Sequence, residues 1–210
     1  MTTSGPSSTD TFDPRDAKAL LEATDSETRR ALDVRGDLLF TAWGVAWVVG
    51  YLSIWWSTRG QDPYTGPAGW AYGILSVALL AAAGVTVVVI TRASAGISGA
   101  STRVGTFYGL SWAVGFLLWQ SVMGAVARAG VPDDVAGLLG AAGPALIVAV
   151  IYCVSAALWE DASFFVAGCV LAVATGLGVW TGPSTASLVI GVVGGIGFAT
   201  AAGLSRRGRV

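Results

Sequence analysis

Few side chains in this sequence can carry chemistry. Of 210 residues, 12 are Lys or Arg, 13 are Asp or Glu, and none is His. The absence of histidine excludes a bis-histidine haem and a histidine proton relay or metal site. Lys18 is the only lysine and lies near the amino terminus, so no helix within the apolar part can hold a retinal Schiff base. There is no Gly-x-Ser-x-Gly nucleophile motif and no phosphate-binding Walker loop. The two cysteines, Cys153 and Cys169, fall at similar depths of consecutive apolar stretches. They read as small apolar residues rather than a disulfide. No catalytic residue, metal ligand or cofactor is expected.

The most polar point inside an apolar stretch is Gln120, followed by Ser121. Pro144 lies at a similar depth in the next stretch and would free the carbonyl of Gly140. Two readings are open. In one, Gln120 satisfies that carbonyl and the role is structural. In the other, Gln120, Ser121 and Gly140 line an outward-facing polar pocket with Tyr51 as its aromatic wall.

The elements that must position these residues follow from the distribution of charge. Six stretches reach the roughly 20 apolar residues that a bilayer core requires. They are Leu38–Ser57, Gly69–Thr91, Val104–Ala127, Gly137–Leu158, Ala162–Trp180 and Ser184–Leu204. Together they hold no Asp, Glu, Lys or Arg. A charge at a helix centre costs roughly 2.5–3.5 kcal/mol, so this segregation marks spans. The sequence predicts an all-α polytopic membrane protein with six transmembrane helices over residues 38–204. A net charge of −1 gives no attraction to nucleic acid.

Basic residues set the orientation. Arg15, Lys18, Arg29, Arg30, Arg35, Arg92, Arg103, Arg206, Arg207 and Arg209 fall on one side, whereas only Arg59 and Arg128 fall on the other. Both termini are therefore expected in the cytoplasm, with the protein in the plasma (inner) membrane.

Residues 1–12 are rich in Ser, Thr, Gly and Pro and read as a disordered tail. An amphipathic cytoplasmic helix is expected over 13–37, started by Asp13 and Pro14. Its apolar face includes Leu20, Leu21 and Leu32, which either lies on the inner loops and lipid or docks a cytoplasmic protein partner. Residues 205–210 form a basic tail.

The first and third stretches align at an offset of 65, with Gly44, Trp47, Val49, Gly50 and Leu52 over Gly109, Trp112, Val114, Gly115 and Leu117. This suggests three repeated helical hairpins. Small residues recur every four positions at Gly191, Gly195, Ala199 and Gly203, and again at Gly105, Gly109 and Ala113. Such stripes pack against helices, either within one protomer or across a homodimer. Trp55, Trp56, Trp70 and Trp180 are expected at the outer surface and Trp159 at the inner one.

Three segments carry a resemblance: Arg35–Leu39, Trp43–Trp47 (Trp-Gly-Val-Ala-Trp) and Leu158–Asp161 (Leu-Trp-Glu-Asp). In these the chain resembles a group of small actinobacterial six-span proteins loosely labelled as transporters. The hairpin pattern is similar, more faintly, to acid-resistance membrane proteins of the HdeD type. Ala42-x-x-x-Ala46 is similar to a motif of the substrate-binding subunits of energy-coupling-factor vitamin transporters, which also have six spans. The resemblance to the actinobacterial group implies a transport-related role without assigning any residue. The expected function is transport of a neutral or lipophilic solute. The alternative is an accessory or regulatory subunit that docks a partner through residues 13–34.

Overall fold

A computed structural model describes Lys18, residues 35–93 and residues 100–207, the last without the side chains of 100–102. The chain divides into two units, Met1–Val34 and Arg35–Val210. In the first unit only Lys18 is described, and it is helical. The expected tail over 1–12, the docking face at Leu20, Leu21 and Leu32, and the last three residues lie outside the described residues.

Among the described residues the second unit has six α-helices, each long and apolar enough to cross a membrane when the fifth is taken with the short turn that follows it. They are α1 Gly36–Thr58, α2 Gly69–Ala93, α3 Ala100–Arg128, α4 Asp133–Trp159, α5 Ala162–Gly178 and α6 Pro183–Arg207. A short 3₁₀ turn, Val179–Thr181, links α5 to α6. The chain is thus an integral, multi-pass, all-α membrane protein.

Most helices run past their apolar windows. Asp37 falls inside α1, Arg92 inside α2, Asp133 and Asp134 inside α4, and Arg206 and Arg207 inside α6. The expected basic tail from residue 205 is therefore helical as far as Arg207. The termini favour this. Asp37, Asp133 and Asp134 sit in first turns, and Arg92, Arg206 and Arg207 in last turns, where each charge complements the helix dipole. The fifth span is the exception, because its α-helix ends at Gly178 rather than continuing to Trp180.

Helices α1, α4, α5 and α6 surround the core, while α2 packs on α1 and α3 on α4. The core is aromatic. Phe40 and Trp47 of α1, Tyr152 of α4 and Phe198 of α6 are all buried. Phe164 of α5 and Trp112 of α3 pack against them. Ring centroids lie 5.0 Å apart for Phe40 and Phe164, 5.8 Å for Tyr152 and Phe198, and 5.7 Å for Trp112 and Tyr152. These edge-on pairs interlock rings from five helices.

Gly50 and Gly115, equivalent in the sequence alignment, each face the returning helix of their own hairpin. A Cβ at Gly50 would run into Leu75 of α2, and one at Gly115 would stand 3.3 Å from Ile147 of α4. Their helices differ in setting, however. Helix α1 is central, whereas no residue of the α3 span is fully buried.

Candidate functional site

Helices α1 and α6 share the most extensive helix–helix packing, and glycines allow the approach. A Cβ on Gly191 would stand 2.7 Å from Tyr51 Cβ, and one on Gly194 2.7 Å from Trp47 Nε1. One on Gly195 would overlap Val48, and one on Gly44 would stand 2.8 Å from Phe198 Cβ. Trp47 Nε1 also donates across the seam to the main-chain oxygen of Ile190, at 3.0 Å. A polar indole nitrogen inside the bundle is thereby satisfied.

On the outward face of the same pair the surfaces part to leave a cleft of about 490 Å³. Its α1 wall runs from Phe40 to Val49, and its α6 wall from Gly195 through Ala199 and Gly203 to Arg206. The small-residue stripe of α6 is therefore divided. Gly191 and Gly195 are used inside the protomer against α1, whereas a Cβ on Gly203 would meet nothing within 4 Å. The single polar side chain on the α1 wall, Thr41, donates its hydroxyl proton to the carbonyl of Asp37 at 2.7 Å. The lining is thus apolar up to Arg206.

At that end Arg206 Nε lies 3.5 Å from Asp37 Oδ2. The Asp37 side chain is 12% exposed and that of Arg206 66% exposed. Neighbouring contacts fix this end of the bundle. Ser205 Oγ is 3.2 Å from Ser163 Oγ, and the main-chain N–H of Ser163 donates to Asp161 Oδ1 at 2.8 Å, which caps α5. The starts of α1 and α5 are thereby held to the end of α6.

A second groove of about 450 Å³ lies between α1 and α2, lined by Val49, Trp70, Gly73, Ile74, Val77, Ala78 and Ala81. Among the described residues its lining has no charge.

The four residues of the expected polar pocket are not gathered. Gln120 and Ser121 are exposed on α3, and neither side chain makes a hydrogen bond among the described residues. Gly140 is exposed, with Met123 Cε 3.9 Å from its Cβ position. Tyr51 is buried in the core with its ring centroid 4.7 Å from that of Trp47. Its hydroxyl donates to Ala141 O, at 2.7 Å, beside the carbonyl that Pro144 leaves open. The polar supplement to α4 near the proline therefore comes from α1, not from Gln120. The second small stripe also behaves otherwise than expected, because Gly105 and Gly109 have no neighbour within 4 Å.

Other expected features occupy defined places. Trp55 and Trp56 end α1, Trp70 begins α2 and Trp180 lies in the α5–α6 link, all at one end of the bundle, with Trp159 at the other. Arg59 stacks on Trp56 with its guanidinium carbon 3.2 Å from the ring centroid. In the loop after α1, burial pushes the Tyr64 phenol up to about 12, with Tyr72 and Asp133 adding to the shift. Cys153 and Cys169 are free thiols, and Cys153 Sγ lies 2.8 Å from the Cβ position of Gly168 on α5. Among the described residues no three His, Cys, Asp or Glu side chains cluster as a metal site.

Sequence reading gave Asp37 and Arg206 no site role. Both were visible only as flanking charges, and nothing local signals that they meet. Comparison with protein-family models, with curated proteins and with solved structures finds no match for this chain.

Proposed function

We propose that this membrane protein is transport-related and handles a neutral or lipophilic molecule that enters sideways from the bilayer through the α1–α6 cleft. The observation that carries this reading is a contrast. The bundle centre is filled by interlocked rings, while the cleft at its side is apolar and open. A molecule using that cleft needs no charged partner inside the spans. The reading also places both termini in the cytoplasm of a plasma membrane.

The test is lipid translocation in proteoliposomes carrying a neutral glycolipid labelled with nitrobenzoxadiazole. Dithionite quenches the outer leaflet. The wild type should expose more than the outer-leaflet fraction, and Ala199→Trp, which fills the cleft, should not. Quenching no deeper than in protein-free vesicles would overturn the reading.

A second reading, an accessory membrane subunit, is favoured by α3. That span buries no residue, its small stripe is uncovered, and Gln120 stands unpaired among the described residues at membrane level. Interhelical hydrogen bonds from such a side chain contribute to association in lipid. Capture of a partner by the full chain, lost in Gln120→Leu or when Leu20, Leu21 and Leu32 are changed to Ala, supports this reading. Loss in the first variant assigns the contact to α3, and loss in the second to the amino-terminal helix.

A further inference from the structure

We propose that the α1–α6 cleft is a binding site for one anionic phospholipid, with an acyl chain along the Gly203–Gly195 floor and the phosphate on Arg206. This rests on the reading of the cleft as a lipophile site and names the chemistry of its occupant.

Length supports a single acyl chain. From Gly195 to Arg206 the α6 wall runs eleven residues, about 16 Å at roughly 1.5 Å per residue. That is about half of a roughly 30 Å hydrocarbon core, or one leaflet. The floor supports it too. Gly203 leaves open space where a side chain would stand, and Thr41 spends its hydroxyl proton on its own helix, so the wall offers hydrocarbon contact without competing donors.

Charge supports the headgroup. Among the described residues Arg206 is the one charged residue lining the cleft, and it stands at the end of the cleft where α6 ends. Arg206 approaches Asp37 through Nε, at 3.5 Å, and the arginine side chain stays 66% exposed. A guanidinium has five N–H donors, so both terminal amino groups remain for a phosphate, which they can grip in bidentate fashion. Asp37 serves to hold the arginine across the mouth. Arg207 adds positive charge in the same turn. A two-fold dimer closing over this cleft would instead bring Arg206 to the same depth as its copy, like charge towards like charge.

The experiment is native mass spectrometry of the full chain released from nanodiscs of equal phosphatidylglycerol and phosphatidylcholine. The wild type should retain one phosphatidylglycerol in preference to phosphatidylcholine by roughly tenfold, as charge-assisted contacts imply. Arg206→Gln should retain lipid without preference. Gly203→Leu, whose new side chain enters open space, should stay folded and retain neither lipid. Equal wild-type retention of the two lipids, abolished by Gly203→Leu, would overturn the headgroup assignment and leave the lipophile site standing. Retention of no lipid, or a dimer that Gly203→Leu disperses, would overturn both.

Discussion

Tyr51 on α1 donates its phenolic proton to the main-chain oxygen of Ala141 on α4, 2.7 Å away. The bond joins two core helices at the point where Pro144 interrupts the hydrogen bonding of α4. Water cannot replace a partner inside a bilayer-spanning bundle, so the buried phenol depends on this carbonyl for its hydrogen bond.

Tyr51→Phe keeps the ring against Trp47 and removes only the hydroxyl. Loss of a buried hydrogen bond costs about 0.5–1.5 kcal/mol. The melting temperature of the purified protein in detergent should fall. An unchanged melting temperature would show that the bond adds nothing.

The two faces of α6 predict opposite responses to the same change. Gly194→Ala would place a methyl 2.7 Å from Trp47 Nε1 and 2.8 Å from Leu171 Cδ2. Overpacking of this kind costs about 1–3 kcal/mol. Gly203→Ala meets open space, and alanine is favoured over glycine in a helix by about 1 kcal/mol. Thermal unfolding should rank Gly203→Ala at or above the wild type and Gly194→Ala well below it. The reverse order would contradict the α1–α6 packing.

Glu160 ends α4 with φ 52°, the left-handed conformation that glycine adopts at low cost. Its carboxylate also stands at the negative end of the α4 dipole. Glu160→Gly relieves both and should stabilise by about 0.5–1 kcal/mol after the entropy cost of glycine. Equilibrium unfolding in mixed micelles measures it. A loss of stability would mean that the Glu160 side chain has a supporting role at this turn.

The distribution of basic residues predicts the sidedness. A carboxyl-terminal fluorescent fusion should be bright and a carboxyl-terminal alkaline phosphatase fusion inactive. A cysteine placed at Thr65 should react with an impermeant maleimide on whole cells. Active phosphatase at the carboxyl terminus would reverse the orientation.

The number and class of the helices were legible in the sequence because both are local properties. A charge within a span is penalised wherever the span packs, so stretches free of charge such as Leu38–Ser57 and Ser184–Leu204 declare themselves. Which face of a helix meets which neighbour is not local, and in lipid it leaves little pattern, because both the interior and the surroundings are apolar. Gln120 therefore read as buried but lies exposed on α3, and the supplement near Pro144 came from Tyr51, distant in sequence. The α6 stripe looked uniform from Gly191 to Gly203. Only packing divided it into a half that seats α1 and a half that opens as a cleft. The meeting of Asp37 with Arg206 is of the same kind. Each charge suits its own helix terminus, and each is legible there. That the first turn of α1 and the last turn of α6 lie side by side, so that the pair closes one end of the cleft, was decided by the tertiary structure alone.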